Sequence, residues 1–306
     1  MTVKMNKKVF KAIIPAAGFG TRMLPFAKSV PKELIPLVDT PVLQYVVEEA
    51  VAAGVKEILI IISRGKEAII RHFETAEELE TRLAESGKTE LLAAMQRINS
   101  LADITFVYQE ELKGLGDAVR LGAGFAGNDP CLVMLGDTVM DSDTERSVAG
   151  QLVDVYDRFG HSVVALERVA PEKVSSYGIA SGEEIAKGVL QLSELVEKPS
   201  PEKAPGNLAV AARYLFTPAI FAELENTAAG LHGEIQLTDA IRKLMNSEKV
   251  LGCCIAGRRF DLGSVAGFVA ANVEFALRRS ELQEVLGRRI MDILKKNVSQ
   301  SVESVQ

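Results

Sequence analysis

Apolar residues in this chain come in short unbroken runs, separated by stretches with helical spacing. Residues 9–15 form one such run and lead into Ala16-Ala17-Gly18-Phe19-Gly20, the pattern of a buried strand entering a glycine turn. The next stretch carries Pro25, Pro31 and Pro36, too many prolines for one helix, and reads as a long ordered loop of the kind that is usually functional. Pro41 then opens a segment in which Val42, Leu43, Val46, Val47, Ala50 and Val51 share one helical face, with Gly54 where a C-terminal cap belongs. Residues 58–62 are a second fully apolar run.

Strand, helix, strand at this spacing predicts a parallel sheet covered by helices. The pattern continues with a helix over 77–96, a strand over 104–109, a short helix over 118–125 and an apolar strand over 131–135. The texture then changes. Residues 163–169, 179–180, 189–197 and 208–216 read as strands with brief turns, 235–245, 265–279 and 282–296 as helices, and 298–306 as a disordered tail. The expected fold is therefore α/β: a Rossmann-like, doubly wound, mostly parallel sheet with extra strands and C-terminal helices. Residues 1–297 form one domain, divided into a nucleotide-binding half (9–145) and a second half (146–297). Ligands of such sheets sit outside the carboxyl ends of the strands at the switch point. That rule singles out the loops after the first, third and fourth strands.

Composition narrows the chemistry. The 306 residues hold 35 Lys+Arg against 41 Asp+Glu, a formal charge of -6, which argues against a main task of coating nucleic acid or an anionic membrane. No apolar stretch approaches the length of a membrane span. Cys131, Cys253 and Cys254 make neither a disulfide framework nor a C-x-x-C pair, which suits a reducing cytoplasm. His72, His161 and His232 share no ligand spacing and read as surface or structural.

Within this acidic chain the glycine loop is locally basic: Arg22, Lys28 and Lys32 precede the first acid, Glu33. Glycine amides with three cations suit a polyphosphate, although a bare turn with solvated charges has the same local pattern. The loop is not a Walker A motif, and it is not a dinucleotide fingerprint, because Met23 stands where the third glycine belongs. Asp39, about 20 residues on, reads better as a helix cap than as a ribose-binding acid.

Gly18-Phe19-Gly20-Thr21-Arg22-Met23-Leu24-Pro25 together with Pro31-Lys32-Glu33 resembles the signature of the sugar-nucleotide pyrophosphorylases, and the likeness extends over residues 9–279. The resemblance implies that the chain joins UTP and glucose 1-phosphate into UDP-glucose and pyrophosphate with Mg2+, working as a homodimer or homotetramer. A thymidylyltransferase would share most of the motifs, and a non-catalytic sugar-nucleotide-binding regulator would share the fold. A nicotinamide-dependent oxidoreductase is disfavoured by Met23 and by the lack of an acid-base pair.

The same resemblance distributes roles over the chain. Arg22, Lys32 and the loop at Ala17, Gly18 and Gly20 would hold the triphosphate, with Glu33 counted among the substrate contacts. Gln109 would read the uracil edge, and Gly114 would let the base pack on backbone. Asp137 in Leu135-Gly136-Asp137 and Asp261 in Phe260-Asp261-Leu262-Gly263 would hold the metal, though each alone reads as a cap or turn former. Glu197 would bind sugar hydroxyls, Lys198 the sugar phosphate, and Tyr177-Gly178 would lie against the hexose. Adjacent strand residues face opposite ways, so Glu197 and Lys198 can serve one pocket only if Pro199 breaks the strand between them. Residues 234–239 also resemble a family segment, but helix capping and charge at the helix start already explain their acids.

Overall fold

The computed structural model describes residues 6–230 and 233–303; His232 lies outside the described residues. The chain begins with β1 (Lys11–Pro15), the two-residue ladder of β2 (Pro36–Leu37) and β3 (Thr40–Pro41), then α1 (Val42–Ala52) and β4 (Glu57–Ile62). Three helices follow, α2 (Ala68–Phe73), α3 (Glu77–Glu85) and α4 (Thr89–Asn99), before β5 (Asp103–Tyr108). The helix expected over 77–96 is thus two, because Gly87 turns left-handed (φ 68°) between them. Next come α5 (Leu115–Leu121), α6 (Ala123–Ala126), β6 (Cys131–Met134), β7 (Thr138–Ser142) and α7 (Val148–Phe159).

The second half contributes β8 (Ser162–Arg168), β9 (Gly178–Ala186), β10 (Val189–Glu197), β11 (Leu208–Phe216), α8 (Ala219–Glu225) and α9 (Leu237–Ser247). It closes with β12 (Val250–Cys254), β13 (Gly257–Asp261), α10 (Val265–Leu277) and α11 (Ser280–Glu303). Helix α11 runs to Glu303, into the segment expected to be a disordered tail; residues 304–306 lie outside the described residues.

Nine strands make one mixed sheet in the order β5-β4-β1-β6-β11-β8-β12-β10-β9. From β1 the chain winds outward through β4 and β5, then returns to place β6 on the other side of β1, all four parallel. The gap between the carboxyl ends of β1 and β6 is therefore the switch point. Alternate residues feed two cores: Ala12 and Ile14 of β1 face one way with Leu43, Val46 and Leu152, while Ile13 faces the other with Val119, Phe216 and Ile241. Strands covered on both faces carry no polar alternation, which is why their apolar runs are unbroken. No described helix is long and apolar enough to cross a membrane.

Two charged contacts tie peripheral segments down. Asp39 does not cap α1; it accepts hydrogen bonds from Thr40 Oγ1 at 3.0 Å and from Arg279 Nη1 at 2.6 Å, linking the β2–β3 turn to the end of α10. Hydrogen bonding from Arg279 holds its carboxyl well below the ordinary 3.8, at about 2. Arg213 in β11 is fully buried, donating to Glu49 Oε2 at 2.7 Å, Thr138 O at 2.8 Å and Ala212 O at 3.0 Å. It pins α1 and the β6–β7 turn to the sheet.

Replacing Arg213 with Met leaves the Glu49 carboxylate and the turn carbonyls without their donor, so the chain is expected to lose about 3–5 kcal/mol in urea unfolding. A loss below about 1 kcal/mol would show that the pair is not holding the turn. Asp39→Asn, at an exposed pair, should cost less than about 1 kcal/mol at neutral pH. Because the folded pKa of Asp39 is depressed, its contribution is present above the unfolded value and is lost as pH falls toward about 2. The gap in stability between wild type and variant should therefore close over that acid range.

Candidate active site

The loop after β1 is held from behind by Lys66, which follows β4. Its buried ammonium donates to Ala16 O at 2.6 Å, Gly18 O at 2.7 Å and both oxygens of Glu33 at 2.9 Å. Burial pushes the Lys66 pKa down and the Glu33 pKa up, each opposed by the partner's charge. Glu33, 1% exposed and engaged by Lys66, braces the loop and also borders the cleft. Ser63 Oγ adds a bond to Ala17 O at 2.8 Å. Gly20 sits at φ 67°, where a Cβ would also press on Lys32 Cδ at 3.0 Å, so glycine is required twice over.

These loops border a cleft of about 470 Å³ at the switch point, lined by Ala17, Gly18, Lys32, Gln109, Gly114 and Asp137 among others. Lys32 Nζ donates to Asp137 Oδ2 at 2.5 Å, and Thr138 Oγ1 donates to Oδ1 at 3.3 Å. Burial works against both charges, yet the pairing prevails, lowering the Asp137 pKa and raising that of Lys32. Asp261 ends β13 with its Cα registered against Thr138, one residue from Asp137. Arg22 stands exposed on the turn Thr21–Met23 and does not line the cleft, so the structure leaves it at the rim.

Gln109 is buried, and Nε2 donates to Asp117 Oδ2 at 2.8 Å and Gly114 O at 3.2 Å. Gly114 has φ 95°, but the space above it belongs to the chain itself: a Cβ there would lie 2.9 Å from Glu234 Cβ and 3.0 Å from Ile235 O. The glycine admits this crossing segment and also lines the cleft. Glu234 lines the cleft; α9 begins without a side-chain cap, while Asp239 lies in its first turn, where charge at the helix start accounts for it.

A second cavity, about 160 Å³, is lined by Tyr177, Gly178, Glu197, Tyr214, Thr238 and Arg259, and it shares Leu115 and Leu135 with the cleft. The strand does break after Glu197: Lys198 is left-handed (φ 44°), and its amide donates to Tyr177 O at 3.0 Å. Lys198 Nζ comes 3.5 Å from Glu197 Oε1 with its side chain 63% exposed, and unlike Glu197 it does not line the cavity. Thr238 Oγ1 donates to Glu197 Oε2 at 2.7 Å, and that oxygen lies 3.2 Å from where a Gly178 Cβ would stand. Arg259 stacks on the Tyr177 ring at 4.2 Å and pairs with Glu167.

Lys66, Thr238 and Arg259 escaped sequence reasoning. Their signals are contacts across 30 residues or more, although a lysine after a buried strand and a Gly-rich turn was a visible hint. A larger cavity of 730 Å³ beside Arg242 and Lys243 contains none of the expected residues. His72 meets Gln44 Oε1 at 3.1 Å, half-buried, in the structural role expected of it.

The nucleotidyl transferase family model matches residues 11–277. A relative named UTP–glucose-1-phosphate uridylyltransferase YngB, from Bacillus subtilis strain 168, is 44% identical over 296 residues, covering 97% of this chain and 99% of its own. A UDP-glucose pyrophosphorylase solved in complex with UDP-glucose superposes with a TM-score of 0.81 at 38% identity, covering 89% of this chain and all of that one. A UTP-bound enzyme of the same name from Acinetobacter baumannii gives 0.85 at 33% identity, over 92% and 99% of the two chains. Likeness of that extent, over a fold whose glycine loop and Asp137 meet at the switch point, makes this chain a member of the nucleotidyl transferase family.

Proposed function

We propose that this chain transfers the uridylyl group of UTP to glucose 1-phosphate, forming UDP-glucose and pyrophosphate. A phosphate oxygen of the sugar attacks the α-phosphorus in line; the new P–O bond forms as the bond to the β-phosphate oxygen breaks, and pyrophosphate leaves with that electron pair. The attacker is already an anion, so no side-chain nucleophile is needed and the protein's task is alignment and neutralisation. The observation that carries the reading is the shared wall: Leu115 and Leu135 border both the cleft and the Glu197 cavity.

The loop amides from Ala17 to Gly20 and Lys32 meet the triphosphate, with Arg22 reaching in from the rim. Gln109 meets the uracil. Glu197, oriented by Thr238, and Tyr177-Gly178 meet the hexose, and Lys198 takes its phosphate. Magnesium fits the donor set, since Asp137 immediately precedes β7, Asp261 ends the β13 strand paired with it, and carboxylates are the hard ligands this ion takes together with phosphate and water. When bound it supplies charge neutralisation at the α-phosphate and the departing pyrophosphate.

The same reading has residues 1–297 acting as one domain, 9–145 on the nucleotide and 146–297 on the sugar, in a cytoplasmic homodimer or homotetramer. The free cysteines support the compartment, and exposed Val265, Val269 and Val273, four residues apart on α10, support the assembly.

Purified chain given UTP and glucose 1-phosphate should release pyrophosphate only with magnesium, and more slowly with dTTP or other sugar 1-phosphates; no release under any pairing would sink the proposal. Asp137→Asn should keep its melting profile and lose about 100- to 1000-fold in turnover. Near-normal turnover would remove Asp137 from the metal site. Lys198→Ala should raise KM for glucose 1-phosphate while sparing KM for UTP, and an unchanged sugar KM would exclude it.

A further inference from the structure

We infer that Asp117, held by Arg120, fixes which end of the Gln109 amide faces the nucleotide base and thereby sets the preference for a base with an N3–H. Both hydrogens of Gln109 Nε2 are spent on acceptors, Asp117 Oδ2 at 2.8 Å and Gly114 O at 3.2 Å. A flipped amide would set its oxygen against a carboxylate and a carbonyl, so the network admits one orientation. Gln109 lines the cleft and its Oε1 accepts no hydrogen bond among the described residues, so Oε1 is what it offers a ligand. Asp117 is itself fixed: Arg120 Nη2 donates to its other oxygen at 2.7 Å and Nε at 3.3 Å, one turn along α5.

The inference rests on the reading that Gln109 meets the uracil. Uracil presents N3–H between two carbonyls and satisfies a lone acceptor; cytosine presents a lone pair at N3, which an acceptor repels. Thymine keeps the N3–H, so this device discriminates against cytidine nucleotides and leaves UTP and dTTP to be told apart elsewhere. Asp117 is a positioning residue, acting only through Gln109.

Substitution separates this role from a merely structural one. In Asp117→Asn, Arg120 takes the only side-chain oxygen, which turns the Asn amide nitrogen toward Gln109 and favours the flipped amide. The measurement is kcat/KM for UTP and for CTP at saturating glucose 1-phosphate. Asp117→Asn should cut the UTP-to-CTP ratio by about 10-fold, through a higher KM for UTP, with KM for glucose 1-phosphate unchanged. Adding Arg120→Met frees the Asn oxygen to face Gln109 and should restore much of the ratio, whereas accumulated structural damage would make the double variant worse. Asp117→Ser, whose hydroxyl donates or accepts, should shift the ratio in the same direction by less, and stands in if the Asn variant does not fold.

Gln109→Ala distinguishes the two levels of failure. If it lowers the ratio while both Asp117 variants reduce UTP and CTP use in equal proportion, the orienting role is overturned and the base contact stands. If Gln109→Ala leaves the ratio unchanged, the base contact falls and the inference falls with it.

Discussion

A buried ammonium sets the geometry of this site. Removing Lys66 from water without partners would cost several kcal/mol, so its acceptors are effectively obligatory, and two of them are the carbonyls of Ala16 and Gly18. The glycine loop has few bonds of its own, and the lysine behind it converts a permissive segment into a fixed one. Glu33 cancels the charge of Lys66, so the pair adds rigidity without adding net positive potential. Lys32, which lines the cleft, is paired in the same way with Asp137. Arg213 acts in the same way on the other side of the switch point, where the turn bearing Asp137 hangs from a guanidinium that never meets the ligand.

The sheet was legible because its physics is local in sequence. A strand covered on both faces must be apolar throughout, so 58–62 and 131–135 announced themselves. The glycine turn after β1 followed from the same reading. Helix α7 left a usable signal, with Ser147 capping Gly150 N at 3.1 Å ahead of Leu152, Val153 and Tyr156, although no element was assigned there. Lys66 drew no reading from the sequence, because its partner Glu33 approaches from 33 residues away. Arg213 was a stronger hint left unused: an arginine inside a nine-residue apolar strand must find a buried carboxylate or destabilise the sheet. Glu33 adds to this: its place in the signature motif suggested a ligand contact, and the bracing bond to Lys66 is a second role that the motif alone does not reveal.

Alternation along a strand gave a sharper test. Glu197 and Lys198 cannot share a pocket on regular β geometry, and Pro199 marks where the regularity ends. The chain resolves this by placing Lys198 in the left-handed region, at a cost of about 1 kcal/mol or more, secured by its amide bond to Tyr177 O. Ala212 is strained in the same sense (φ 56°) where β11 slips register, next to Arg213. Two of the three non-glycine residues with positive φ among those described thus flank the site. Backbone strain is concentrated where side chains must be aimed.

Aiming recurs at the polar contacts. An amide or a carboxylate in a cleft has rotational choices that dilute its selectivity, and each choice removed by a neighbour sharpens it. Thr238 fixes one oxygen of Glu197 and so limits how that carboxylate can meet a ligand, which on the proposed function is the sugar. Asp117 does the corresponding work for Gln109, with Arg120 behind it. In both cases the group facing the ligand is common to many proteins, and its selectivity resides one bond further back. That second bond comes from a helix packed on the sheet, α9 for Glu197 and α5 for Gln109, and these two helices pack against each other. On the proposed function, a change that tilts one helix would therefore disturb base and sugar recognition together, whereas a change confined to Asp117 or Thr238 would disturb one and spare the other.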